Sequence, residues 1–321
     1  MLNLDVRMNA GPYMINNLAQ QILPSLESEY LARIDDRIHC LITNGADRFG
    51  DISRNCLGAW PGLVLERLNE LHWTAKARKI PLSAAPRSFF PELHMRNGEW
   101  YFTEATVEWI ATSFLPKNGC AVLLGAPSLA AVASKYNISY KLIDNNPAVR
   151  LRFPCVERNF LEATIGDSSI NLAANFVFLD PPWYTSAVLY WLRLASSIAE
   201  LDSMIAMPLL PELTRPSALS DRALILNYAQ SIGDTSVLGD RIRYESPLFE
   251  REALKAKHIE ADLDWRVADL LLIKKRNKAL EVPPPIIPDK GWRKFIVGTQ
   301  LIHMKNIISK SRSNLMFHQL P

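Results

Sequence analysis

Asn175-Phe176-Val177-Phe178-Leu179-Asp180-Pro181-Pro182-Trp183 is the stretch on which the fold turns. Phe176 to Leu179 is an apolar run of strand length, and it stops at a carboxylate, two prolines and an indole. Proline lacks a backbone N–H and cannot continue a central strand, so the chain leaves the sheet at Asp180. A loop at the carboxyl end of a buried strand is where open α/β sheets bind ligands. The residue types suit work on an amine. The Asp180 carboxylate and the rigid Pro181 carbonyl can accept the two hydrogens of an amino group and aim its lone pair, while Pro181 and Pro182 offer no competing donor. Trp183, with Tyr184 beside it, offers a stacking face to a planar group.

Working outward, residues 118–276 alternate strands and helices, which predicts a largely parallel sheet. Ala121 to Leu124 reads as a buried strand ending in Gly125-Ala126-Pro127-Ser128, and Leu129 to Lys135 starts a helix. Tyr140 to Asp144 is a strand that ends in an acid, followed by Asn145. Phe153 to Val156 is expected as a short third strand, ahead of Glu157-Arg158-Asn159-Phe160. After Asp180 come a helix over Ser186 to Leu201, a strand over Met204 to Met207 and a helix over Arg222 to Ile232. Thr235 to Tyr244 and Trp265 to Lys275 form a closing strand pair, and Glu250 and Glu252 start a solvated helix.

The amino-terminal part has a different pattern. Ile22 to Ile42 has helical spacing, Asp51-Ile52-Ser53 caps a short helix, and Trp60 to Leu71 is a third with Pro61 in its first turn. An irregular basic stretch, Lys76 to Phe90, leads to Asn97-Gly98, a hairpin turn between Glu92–Arg96 and Glu99–Thr103. Three helices and a hairpin predict a winged-helix-like α+β unit. Its third helix, the recognition element of such a unit, carries Glu66, Arg67 and Glu70, so its face is not basic, and DNA contact stays open. The expected division is residues 1–115 for this unit, 116–280 for the α/β body, and 281–321 for a proline-rich basic tail that packs on the body or meets a protein partner or a phosphate backbone.

Composition bounds the rest. The 321 residues are 48% hydrophobic and 21% charged with a net charge of +3, which is ordinary for a globular protein and neither demands nor excludes nucleic acid. No apolar run spans a membrane and the amino terminus lacks a signal-peptide pattern, so a cytoplasmic protein is expected, with oligomeric state open. Cys40, Cys56, Cys120 and Cys155 are too scattered for a disulfide framework, Cys120 and Cys155 read as core thiols, and no histidine–cysteine cluster predicts a metal.

Asp180-Pro181-Pro182-Trp183 resembles the catalytic (Asp/Asn)-Pro-Pro-(Tyr/Phe/Trp) motif of class I S-adenosylmethionine-dependent amino-methyltransferases, and the order Gly125, Asp144, Asp180 matches theirs. The resemblance implies a Rossmann-like α/β sheet and S-adenosyl-L-methionine as cofactor. It implies a cofactor site at Gly125, Ala126, Ser128, Asp144, Asn145, Asn159 and Phe160. Catalysis would fall to Asp180, Pro181, Pro182 and Trp183, and substrate contact to Tyr184. A winged-helix start followed by such a body is also similar in layout, over residues 30–276, to the branched-chain polyamine synthases. Those enzymes carry an acidic first loop where this chain has Gly125-Ala126-Pro127-Ser128-Leu129. Three readings follow. The leading one is methyl transfer to an adenine or another planar amino group in nucleic acid. The others are aminopropyl transfer to an amine, and a catalytically inactive binding or regulatory protein.

Overall fold

A computed structural model describes residues 12–71, 100–146, 149, 153–163, 172–259, 265–281, 292–297 and 300–305. Its centre is a seven-stranded sheet in the order β3-β2-β1-β4-β5-β7-β6. The strands are β1 (Ala121–Leu124), β2 (Tyr140–Asp144), β3 (Phe160–Glu162), β4 (Ala174–Leu179), β5 (Ala199–Leu209), β6 (Gly233–Arg243) and β7 (Val267–Lys275). The first five are parallel, with β1 between β2 and β4 in the registers Leu124↔Ile143 and Leu124↔Leu179. β7 runs antiparallel between β5 and β6, as expected for the closing pair. β1 is buried throughout, as the core of a doubly covered parallel sheet must be.

The strand order reverses at β1 and β4, because the chain runs from β1 outward to β3 and then returns to β4. The helix after β1, Pro127–Lys135, packs on β1 and β2, whereas Thr185–Ile198 packs on β4 and β5. Right-handed crossovers in opposite directions place these helices on opposite faces. The cleft between the ends of β1 and β4 is therefore the topological switch point, where such sheets take their ligands.

Numbered along the chain, the helices are α1 (Pro12–Thr43), α2 (Phe49–Asn55), α3 (Pro61–Glu70), α4 (Glu104–Phe114), α5 (Pro127–Lys135), α6 (Thr185–Ile198), α7 (Ala218–Ile232) and α8 (Leu248–Ala256). The α1–α3 cluster has its own core, built on Ile34, Ile38, Ile52, Val64 and Leu68. Leu213, Leu254, Ile259 and Trp265 from the body complete that core. Arg67 of α3 grips Asp35 of α1 through Nε–Oδ1 at 2.7 Å and Nη2–Oδ2 at 2.5 Å, so this cation is committed to holding two helices together. Backbone contact is close where the two parts meet. Leu213 N donates to Leu57 O at 3.0 Å, and Gly58, at φ +80°, lies where a Cβ would come within 2.7 Å of Pro211. Tyr30 Oη donates to Leu213 O at 2.8 Å.

Several expectations are corrected. The strand expected at Phe153–Val156 is a 3-10 turn, Pro154–Asn159, and β3 follows it. Pro154 suits a first helical turn, and the edge strand itself leaves Leu161 exposed, so no apolar pattern marked it. Cys155 is exposed and Cys120 only half-buried, while Cys56 is the buried thiol, pushed up to about 12 by burial. Glu250 of α8 is not a solvated residue, because it is half-buried and accepts from Trp60 Nε1 at 2.9 Å. The Asn97-Gly98 turn and the proline-rich start of the tail lie outside the described residues. Residues 101–103 are extended, and Phe102 bridges Tyr244 at the end of β6. Thr103 caps α4, accepting from Thr106 N at 3.4 Å. The boundary expected at residue 115 leaves α4 on its amino-terminal side, although α4 gives Val107 and Ile110 to the core of the body. Farther on, β8 (Trp292–Val297) and β9 (Gln300–Lys305) pair as an antiparallel hairpin.

Replacing Tyr30 by Phe leaves the Leu213 carbonyl without its donor. The expected loss of stability is about 1–2 kcal/mol in a denaturant titration, with little change in the circular dichroism spectrum. An unchanged unfolding midpoint would show that this bond does not tie the two parts together.

Candidate active site

The loop after β4 is held in place from several sides. Asp180 N donates to Leu124 O at 3.0 Å, the last rung of the β1–β4 ladder, and the two prolines then turn the chain away. Tyr184 N closes on Pro182 O at 2.7 Å. Arg215 Nη1 donates to Trp183 O at 2.5 Å, and Arg215 is itself anchored by Asp221 through Nε–Oδ2 at 2.9 Å and Nη2–Oδ2 at 2.8 Å. Burial would raise the Asp221 carboxyl, but hydrogen bonds from Ser217, Thr185 and Arg215 bring it below its ordinary value. It therefore stays ionised as the anchor of the loop.

Asp180 opens on a cavity of about 340 Å³ at the carboxyl ends of β1, β2 and β4. Tyr244 Oη donates to Asp180 Oδ1 at 2.8 Å. Burial raises the Asp180 carboxyl from 3.8 to about 7, opposed by the Tyr244 hydrogen bond and by the charge of Arg266, and reinforced by the charge of Asp144. Burial and the neighbouring Asp180 also keep the Tyr244 phenol protonated, well above its usual value, so it acts as a donor. Arg266 stands between two indoles, with its guanidinium carbon 4.3 Å from the Trp100 ring and 4.2 Å from the Trp183 ring, and 5.7 Å from the ring of Tyr244. Tyr244 N donates to Arg266 O at 3.1 Å, so the closing strand pair delivers the phenol and the guanidinium side by side.

The other end of the cavity is formed by the β1 loop and the tip of β2. Gly125 has φ +62°, and a Cβ there would lie 2.9 Å from Trp191 Cη2, so the turn favours glycine. Its N–H donates to Ile143 O at 2.9 Å. Asp144 Oδ1 accepts from Asn146 N at 2.8 Å, which fixes the carboxylate at the strand's tip.

Of the residues singled out in the sequence, the cavity brings together Gly125, Ala126, Ser128, Asp144, Asn145, Asp180, Pro181, Pro182 and Trp183. Asn159 and Phe160 are not among its lining. Asn159 precedes β3 and bonds the phenol of Tyr140, the first residue of β2, so it lies at the opposite end of the sheet, and Ala163 beyond β3 reaches the cavity instead. Tyr184 is 71% exposed and lies outside the lining. Trp183 is not the open platform expected of it, because Arg266 covers its face and Tyr244 meets it edge-on at 5.8 Å. The sequence reading missed Trp100, Tyr101, Phe102, Trp191, Tyr244 and Arg266. A signal for two of them was present, since Tyr244 and Arg266 are polar residues at the facing ends of a strand pair already expected to close the sheet.

The chain is structurally similar to the branched-chain polyamine synthase of Thermus thermophilus, solved with N4-aminopropylspermidine and 5'-methylthioadenosine. That comparison gives a TM-score of 0.59 and 12% identity, covering 80% of this chain and 91% of that one. The C9 mutein of the same synthase, in complex with the same two molecules, gives a TM-score of 0.59 and 12% identity over 78% and 89%. The body has the Rossmann-like fold of the class I methyltransferases. No protein-family model matches the chain, and no curated protein matches it in sequence.

Because native Asp180 holds its proton up to about 7 and the unfolded chain only to 3.8, the folded state binds that proton more tightly. Its contribution to stability is greatest at and below the unfolded value, falls as the pH rises through the window to about 7, and is level beyond. Asp180→Asn is expected to remove this slope, up to about 4 kcal/mol across the window. Urea unfolding of both proteins at several pH values checks it, and parallel pH profiles would refute the raised carboxyl.

Proposed function

We propose that the protein is an S-adenosyl-L-methionine-dependent amino-methyltransferase acting on an adenine or another planar amino group in nucleic acid. The observation that carries the reading is the convergence of Asp180, Pro181 and Asp144 on one cavity at the switch point of the sheet. The cavity suits the cofactor in two respects. Asp144 is a fixed acceptor at the tip of β2, where ribose hydroxyls are bound in such folds, and left-handed Gly125 keeps the β1 loop close to the sheet. Gly125, Ala126, Ser128, Asp144 and Asn145 are the residues that would hold the cofactor, which when bound supplies an activated methyl group.

The chain's own contribution is to prepare the amine. Above about pH 7 Asp180 is a carboxylate and accepts one amino hydrogen, while the Pro181 carbonyl accepts the other. Tyr244 fixes the carboxylate through its 2.8 Å bond, and Arg215 fixes the loop through the Trp183 carbonyl. Orientation of this kind suits an already activated donor. The aromatic wall that includes Tyr101 and Trp191 supports a planar acceptor.

Aminopropyl transfer is a second reading, favoured by likeness in fold to the Thermus synthases over most of the chain. Against it, the lining offers two acids, Asp144 and Asp180, and also carries the cation Arg266, which disfavours a polyamine. A catalytically inactive binding protein is the third, motivated by the single glycine of the first loop. The proposed setting is cytoplasmic, with an amino-terminal winged-helix-like unit and a carboxyl-terminal tail available to a protein or nucleic-acid partner. Among the described residues no helix is long and apolar enough to cross a membrane, and no group of three or more His, Cys, Asp or Glu could hold a metal ion.

Calorimetric titration with S-adenosylmethionine and with its decarboxylated form separates these readings. Saturable binding of the former is expected, weakened at least tenfold, or about 1.4 kcal/mol, by Asp144→Ala. Transfer of labelled methyl to nucleic acid is expected to fall at least a hundredfold in Asp180→Ala. Preference for the decarboxylated form would favour aminopropyl transfer, and binding of neither would favour the inactive protein.

A further inference from the structure

Arg266 lies within the cavity wall yet has nothing of opposite charge attached to it. A guanidinium carries five N–H donors in one plane and cannot shed its charge. Trp100 and Trp183 lie against the guanidinium, with 4.3 and 4.2 Å between its carbon and their ring centroids, and neither ring offers an acceptor oxygen to those donors. Among the described residues no hydrogen bond or ion pair reaches them, and Nε is fully buried without a partner. The acids that act on it electrostatically, Asp180 and Glu250, make no hydrogen bond with it; Asp180 Oδ1 accepts from Tyr244 at 2.8 Å and Glu250 Oε1 from Trp60 at 2.9 Å. Burying a charge without hydrogen bonds is costly, and contact with indole rings offsets only part of that cost. The backbone gives the side chain little freedom to leave, since Arg266 O accepts from Tyr244 N and the neighbouring Trp265 and Val267 are buried.

A planar, preorganised and unspent set of donors facing a cavity is suited to the paired oxygens of a carboxylate or phosphate. We propose that Arg266 is a specificity-determining residue which receives an oxyanion carried by the acceptor, so that the acceptor is an anionic amine and polyamines are excluded. This deepens the methyltransferase reading and rests on it for the word acceptor. Binding of an oxyanion to this cavity does not depend on that reading. The oxyanion would meet the guanidinium edge beside Asp180, which places an amino group of the same molecule within the reach of the Asp180 loop.

The test uses the full chain with S-adenosylhomocysteine present in excess, and reads tryptophan fluorescence, because the guanidinium touches two indoles. Inorganic phosphate, acetate and spermidine are titrated separately. Saturable changes with phosphate or acetate are expected, at least tenfold weaker in Arg266→Gln, with spermidine binding at least tenfold weaker than the better anion in the native protein. Stronger binding of phosphate identifies a phosphate-bearing acceptor, and stronger binding of acetate a carboxylate-bearing one. Arg266→Lys keeps the charge but loses the fork and is expected to weaken the anion severalfold, which covers the case in which the Gln variant does not fold. Equal anion affinity in the native protein and the folded variants, no response to either anion, or tighter binding of spermidine would overturn the proposal. Separate calorimetry shows whether S-adenosylhomocysteine binds at all. If it does not while the anion response remains, the methyltransferase reading fails and Arg266 is still an oxyanion receptor.

Discussion

The hydrogen bond from Tyr244 to Asp180 joins the two halves of the sheet at their working edge. β4 belongs to the parallel half and ends in prolines, while Tyr244 follows β6 in the antiparallel closing pair. Neither residue could hold its state alone. Burial would force a proton onto the carboxyl, and the phenol would be an unsatisfied donor beneath Trp100 and Phe102. Together they make a carboxylate that is available near neutral pH and cannot rotate away from the cavity.

How much of this was legible in the sequence follows from how local each feature is. The Asp180 loop, Gly125 and Asp144 could be located because each sits at the end of an apolar run whose length and boundary residues announce a strand. Asn159 was misplaced because β3 is a three-residue edge strand with one partner, and such a strand needs no apolar pattern of its own. Trp183 was recognised as part of the loop, but its covered face depends on Arg266, 83 positions away in the chain. No spacing rule reaches that far. Tyr244 and Arg266 stand at the facing ends of the expected closing pair, but the shift of register between Leu238 and Ile242 that sets them opposite one another is not revealed by strand periodicity.

The same reasoning applies to the amino-terminal helices. Their charged residues left DNA contact open, yet Arg67 is spent on Asp35, and Glu66 accepts from Lys257 at 3.1 Å beyond α8. Trp100 packs against both cores, touching Trp265 edge-on at 5.9 Å and stacking on Arg266. A path of packed aromatic groups therefore runs from the helical unit to the cavity, and the shape of the cavity depends on how that unit is seated.

Gly58 makes the two parts hard to separate. Its missing side chain lets the backbone of the helical unit lie directly on Pro211 and Thr214 of the body, and the smaller core is completed by four body residues. Such a seam is not one that recombination can cut cleanly. A body separated from its helices would display Leu213, Leu254, Ile259 and Trp265 to water, and would be prone to self-association. Exchanging the helical unit for one from another protein would therefore require the partner surface on the body to be exchanged with it.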